Sequence, residues 1–200
     1  MKPELHDTKY WIERPLTPDD KDWIDDAPNW VESYVISTDH PHRQLILEEI
    51  AKIKEPINKI LEIGCNTGAN LIRIHDLFPL VNLIGVDISD RCINRAREYL
   101  PKAFFKVCDY HTLPFPDEYV SCVLCDAVLM YSPPDKIEQA MKEIDRVSSK
   151  YVIIVDRWNR SEGGKRNGHV WMRNYSLILR KMGYSIKKFK IDPQYCPNSI

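Results

Sequence analysis

Residues 61–71 read LEIGCNTGANL. An apolar run carries Glu62, Gly64 and Gly68 bracket three small or polar residues, and a helix-forming stretch follows. Glycines between a strand and a helix let the backbone turn tightly and come close to a ligand. Further acids end later apolar runs: Asp87, Asp109, Asp126 and Asp156. An acid about 20 residues beyond a glycine loop, at the end of the next strand, accepts hydrogen bonds from both hydroxyls of a ribose. Asp87 has that spacing from Gly68. Asp109, one strand further out, can accept from an adenine amine. Ile88 and Tyr110 follow these acids and offer apolar and aromatic surface to a base.

Glu62 narrows what hangs from the ribose. A pyrophosphate next to a carboxylate costs on the order of several kcal/mol at intermediate dielectric. A cationic substituent reverses the sign, and the sulfonium and ammonium of S-adenosylmethionine (SAM) suit an acid-rimmed loop. No G-x-x-x-x-G-K-[ST] occurs, which excludes a P-loop. Asn66 stands where such loops often carry glycine, and Asn is the non-glycine residue most at ease at positive φ.

The elements that must position these residues alternate. INKILEI, VNLIGVD, AFFKVCD, YVSCVLCDAV and YVIIVDRW read as strands. Between or beside them ANLIRIHDLF, SDRCINRAREYL, PDKIEQAMKEIDRVS and YSLILRKM read as helices, the last stopped by Gly183. The inner strands are nearly continuous apolar runs, as a parallel sheet covered on both faces requires. The fold expected is therefore α/β, a doubly wound, mainly parallel, Rossmann-like sheet of six or seven strands. The lysine-rich SIKKFKI is read as the last strand, at an edge. STDHPHRQLILEEIAKI is read as an amphipathic helix, and RSEGGKRNGH, 160–169, as a polar mobile loop.

Two domains of unequal kind are expected: a helical extension or lid over 1–40 and a cofactor-binding domain over 41–200. The extension holds Trp11, Trp23 and Trp30 and an acidic run from Asp19 to Asp26. TPDDKDWIDD is read as a short helix capped by Thr17, and NWVESYVIS as another.

Composition limits the partners. The chain has 200 residues, 44% of them apolar, and a net charge of −1. That argues against a nucleic-acid partner. No run approaches the roughly 18 apolar residues of a membrane span, and the N-terminus lacks a signal-peptide core. Of the six cysteines, Cys65, Cys92, Cys108, Cys122, Cys125 and Cys196, five sit in apolar or loop contexts typical of reduced thiols, which predicts a cytoplasmic protein. Cys122 and Cys125 form a CxxC inside a strand, where odd spacing sends the side chains to opposite faces. No metal site is expected.

ILEIGCNTGANL, LIGVDIS, FKVCDYHTLPFPDE and VLCDAVLMYSPP resemble the successive motifs of class I SAM-dependent methyltransferases, of the small stand-alone type 11 kind. The resemblance covers roughly residues 42–191. It implies methyl transfer from SAM to a small-molecule or sugar acceptor, at oxygen or nitrogen, with S-adenosylhomocysteine as product. It also implies that Glu62, Gly64, Asn66 and Gly68 line the methionine part, Asp87 the ribose, Asp109 and Tyr110 the adenine, and Cys125 the region near the sulfonium; Cys65 and Ile88 are expected among the cofactor-binding residues. Ser121 stands where an Asp is often found at the start of strand four, which concerns local structure only.

An oxygen nucleophile usually needs a base. Tyr131, Asp126, His111 and His169 are the candidates, and Trp11, Trp30, Trp158 and Trp171 are possible walls of an acceptor pocket. Two other functions stay open: a SAM-binding, non-catalytic partner subunit, and an NAD-dependent reductase, which Asn66, Glu62 and Asp109 disfavour.

Overall fold

The computed structural model describes residues 8–17, 27–160, 165–167, 170–189 and 191. Three helices come first: α1 (Thr8–Glu13), α2 (Trp30–Ile36) and α3 (Pro41–Ala51). The helix expected over TPDDKDWIDD falls largely outside the described residues. Five parallel strands follow, β1 (Lys59–Ile63), β2 (Asn82–Asp87), β3 (Phe104–Val107), β4 (Val120–Asp126) and β5 (Ser148–Val155), in the sheet order β3-β2-β1-β4-β5. α4 (Ala69–Leu77) and α5 (Asp90–Tyr99) connect the first three strands, and α6 (Ile137–Val147) joins β4 to β5. The order reverses at β1, so the crevice beyond the carboxyl ends of β1 and β4 is the switch point where such sheets bind ligands.

Side-chain alternation along the strands builds two cores. Ile60, Cys122 and Leu124 pack with Ile46 and Ile50 of α3, Leu71 and Ile74 of α4, and Ile93 of α5. Leu61, Ile63, Val123 and Cys125 pack on the other face with Met141 and Ile144 of α6 and with Leu179. Each such fully buried aliphatic side chain contributes about 1.5–3 kcal/mol of transfer free energy. The CxxC is divided between the two faces, as its spacing predicts. Ser121 Oγ accepts from the backbone N–H of Asn58 and Lys59, each at 3.1 Å, and donates to Lys59 O at 2.9 Å. It clips the start of β1 to β4, a local structural role.

The chain after β5 departs from expectation in two places. The loop expected over 160–169 contains β6 (Lys165–Asn167), which pairs antiparallel with β7 (Val170–Met172). α7 (Tyr175–Lys181) ends ahead of Gly183 at φ +94°, as expected. SIKKFKI, however, is not a strand in any of its described residues. Lys187 reaches Glu49 on α3 at 2.7 Å, and Ile186 and Ile191 pack against opposite cores. The segment therefore crosses the end of the domain instead of extending the sheet, which has five strands among the described residues. No helix among these residues is long and apolar enough to cross a membrane.

Candidate active site

The loop after β1 turns through three left-handed residues: Gly64 at φ +67°, Asn66 at φ +50° and Gly68 at φ +81°. Asn66 thus adopts the conformation for which Asn is suited. A Cβ on Gly64 would lie 2.5 Å from Val128 Cγ2, so the glycine lets the residues after β4 close against the loop. Asn66 N–H donates to Asp87 Oδ2 at 2.9 Å, and Ser89 N–H donates to Asp87 Oδ1 at the same distance. Burial pushes the Asp87 carboxyl up, and these backbone hydrogen bonds oppose that. Ser89 also caps α5 through Cys92 N–H at 3.5 Å. The loop, β2 and α5 are therefore locked together around one carboxylate.

A crevice opens over these strand ends. Gly64, Asn66, Asp87 and Ile88 line one side, and Asp109, Tyr110 and His111 the next. Asp126 ends β4, Ala127, Val128 and Tyr131 follow it, and Thr8, Trp11, Trp30 and Tyr34 of the N-terminal helices line the remaining side. Trp11 meets Tyr131 edge-on, with centroids 5.0 Å apart. Trp30 packs on Cys92 of α5 and donates Nε1–H to Pro15 O at 3.2 Å.

His111 is held at both ring nitrogens. Nδ1 stands 2.6 Å from Asp109 Oδ1 and Nε2 3.3 Å from Ser132 Oγ. Because a carboxylate only accepts, the Nδ1 that faces Asp109 carries a proton, and Nε2 shares a hydrogen bond with the Ser132 hydroxyl. The His111 hydrogen bond holds the Asp109 carboxyl below its ordinary value. Asp, His and Ser stand in the order of a hydrolase triad, but Ser132 is fully buried, so the chain is a structural tie.

Behind the crevice lies a polar network spread over α3, β1, α4 and β4. Asn70 Nδ2 donates to Glu62 Oε1 at 2.6 Å and to Asp126 Oδ2 at 3.0 Å. Arg43 Nη1 donates to Asn70 Oδ1 at 2.8 Å and lies 3.5 Å from Asp126 Oδ2. His42 Nε2 stands 2.9 Å from the same oxygen, and His42 Nδ1 is 2.5 Å from His40 Nδ1. Burial, then the charges of His42 and Arg43, lower the His40 pKa. Burial alone would raise the Asp126 carboxyl, but the His42 hydrogen bond and the charges of His42 and Arg43 outweigh it and hold the group below 3.8. Glu62, with no cation so near, goes the other way: burial pushes it up to about 8.

Several expected site residues sit elsewhere. Glu62 is 2% exposed, lies beneath the crevice wall and is mostly protonated at neutral pH, so it does not supply the anionic rim that its position suggests. Cys65 and Cys125 are buried in the two cores and are not on the crevice wall. Gly68 starts α4 and faces Phe105 and Ala96. Asp156 is tied to backbone N–H groups of Met130 and Arg157 and is not on the crevice wall. Trp158 is exposed and Trp171 lies outside the lining, leaving Trp11 and Trp30 as the indole walls. His169 lies outside the described residues. His42, Arg43 and Asn70 have no place in the sequence expectations, although they fix Asp126.

Comparison with known proteins agrees with this architecture. A family model described as a methyltransferase domain matches residues 60–150. Residues 60–150, which carry the glycine loop and the strand-end acids Asp87, Asp109 and Asp126, are thus similar to a methyltransferase domain. Trans-aconitate 2-methyltransferase of Escherichia coli O1:K1 / APEC is 26% identical over 133 residues, covering 64% of this chain and 52% of that protein. The enzyme of the same name from Variovorax paradoxus (strain S110) is 28% identical over 87 residues, 43% of this chain and 34% of that protein. At 52% and 34%, the chain spans about half or less of the length of these curated methyltransferase relatives. Among solved structures, PH0226 protein from Pyrococcus horikoshii OT3 superposes with a TM-score of 0.55 at 22% identity, over 76% of this chain and 66% of that one. A geranyl diphosphate methyltransferase in complex with GPP and sinefungin gives 0.57 at 16% identity, over 71% and 57%. Both share the methyltransferase fold with this domain.

Two features of the crevice fit a SAM-sized ligand. Asn66 Oδ1 is buried without a hydrogen-bond partner among the described residues. Asp87 and Asp109 present carboxylates one strand apart, with Ile88 and Tyr110 as flat walls.

Proposed function

We propose that the protein transfers the methyl group of SAM to a small organic acceptor, at oxygen or nitrogen, and releases S-adenosylhomocysteine. The observation that carries this is the alignment of Asn66, Asp87, Asp109 and Asp126 along one crevice at the switch point of the sheet. SAM supplies a methyl group already activated on a positive sulfur, so positioning provides much of the rate. Asp87 accepts the ribose hydroxyls, and Asp109, kept ionised by His111, accepts the adenine amine. Asp126 takes three donors on Oδ2 and none on Oδ1 among the described residues, which leaves Oδ1 to meet a cationic group of the ligand. A carboxylate held below its ordinary pKa suits that role better than proton abstraction.

The acceptor sits on the β4 side, against Tyr131 and Trp11. The N-terminal extension over 1–40 acts as a lid, and 41–200 forms the catalytic domain. The geranyl diphosphate methyltransferase neighbour, whose structure holds sinefungin, supports the same use of the fold. The free cysteines among the described residues fit a cytoplasmic protein.

Thermal shift with SAM, S-adenosylhomocysteine and NAD, on the wild type and Asp87→Ala, tests the proposal. SAM and S-adenosylhomocysteine are expected to raise the Tm of the wild type only. A rise with NAD alone would overturn it.

A further inference from the structure

Arg173 is a charged side chain with 0% exposure, just beyond β7 and outside the 60–150 match. Burying a guanidinium is costly, and apolar replacements of buried charges are often neutral or stabilising. Stability therefore gives a poor reason for an arginine here. Its contacts give a better one. Nη1 donates to Leu129 O at 3.2 Å, and Nη2 donates to Ser132 O. These carbonyls bracket Met130 and Tyr131 on the short 3-10 turn Leu129–Tyr131.

The same turn is held from two other directions. Met130 N–H donates to Asp156 Oδ2 at 2.9 Å, and Ser132 Oγ bonds His111. Arg173 is itself braced, since its N–H donates to Arg157 O at 3.3 Å and its carbonyl accepts from Asn159 N–H at 3.1 Å. The one side chain of the turn that reaches both the crevice and helix α1 is Tyr131, through Trp11. A turn held at four points leaves Tyr131 little freedom to swing.

We propose that Arg173 is a positioning residue that fixes Tyr131 in the acceptor-side wall by holding the carbonyls on either side of it. That Tyr131 faces an acceptor rests on the methyltransferase proposal; that Arg173 fixes it does not. The role differs from that of the strand-end acids, because Arg173 acts through the turn and is not itself on the crevice wall.

The test uses the full chain labelled with meta-fluorotyrosine, with the Tyr131 resonance assigned through Tyr131→Phe. Spectra of the wild type, Arg173→Lys and Arg173→Met are recorded with and without S-adenosylhomocysteine. Arg173→Met is expected to shift or broaden the Tyr131 line while the Kd for S-adenosylhomocysteine stays within about threefold. Arg173→Lys, which can still donate to one carbonyl, is expected to recover the line in part. A Tyr131 line unchanged in Arg173→Met would overturn the proposal, as would all ten tyrosine lines collapsing together in both variants. If the wild type binds no S-adenosylhomocysteine, the methyltransferase proposal fails, and the ligand-free spectra still judge Arg173.

Discussion

His42 Nε2 stands 2.9 Å from Asp126 Oδ2, joining the start of α3 to the end of β4 across 84 residues of chain. Both side chains are nearly buried, and Arg43 lies beside them. The Asp126 carboxyl is thereby held below its ordinary pKa, although burial pushes it the other way.

The first prediction concerns this pair. A carboxyl whose folded pKa is depressed adds stability above its ordinary value of 3.8 and loses it as pH falls through the folded value. Asp126→Asn leaves His42 and Arg43 without their counter-charge, at a cost of about 3 kcal/mol. Urea denaturation at pH 7 should show that loss, and the gap from the wild type should close under acid conditions. A gap that stays constant with pH would show that the charge of Asp126 does not matter.

Glu62 predicts the opposite slope. Its folded pKa of about 8 lies above the ordinary 4.5, so the unfolded chain ionises first as pH rises. Its contribution to stability is complete below 4.5 and is lost between there and about 8. Glu62→Gln keeps an oxygen for Asn70 and removes the titration. Across that window the variant should gain stability relative to the wild type. Parallel urea midpoints at pH 5, 6.5 and 8 would contradict the burial of an uncompensated acid.

Gly64→Ala meets two penalties at one atom. The backbone is at φ +67°, and the new Cβ would stand 2.5 Å from Val128 Cγ2. The expected loss is about 1–3 kcal/mol, together with loss of the SAM-induced thermal shift. Adding Val128→Ala removes Cγ2 but leaves Val128 Cβ 2.8 Å away and the φ strained, so the double variant should recover only in part.

Asn66 separates conformation from chemistry. At φ +50° glycine is as comfortable as asparagine, whereas a β-branched residue is strained. Asn66→Gly should fold and bind SAM, and Asn66→Val should lose binding measured by calorimetry. Equal affinities would mean that the loop does not need this conformation.

Local chemistry made much of the site legible. Gly64, Asn66 and Asp87 lie within one turn and the end of the next strand, so spacing alone places them at the crevice. The alternation of apolar residues along β1 and β4 fixed the two faces and with them the division of the CxxC. The acid network was not legible, because His42 and Arg43 sit at the polar-looking start of an amphipathic helix and meet Asp126 only through tertiary packing. For the same reason Glu62 looked like an exposed anion: nothing local shows that α3 and α4 seal it in. SIKKFKI has the alternation of an edge strand, but Lys187 meets Glu49 on α3 and Ile186 and Ile191 pack on opposite cores, contacts that no local pattern shows.

The division of Cys122 and Cys125 between the faces of β4 turns the molecule into its own two-channel reporter. Both thiols are free and buried, and the sheet stands between them, so an oxidant cannot bridge them in the native state. A thiol-alkylating pulse during gradual denaturation would label Cys122 when the layer of α3, α4 and α5 lifts, and Cys125 when α6 and α7 lift. Mass spectrometry of the two sites would then show whether the layers that carry the Asp126 network and the Tyr131 turn come apart together or in sequence.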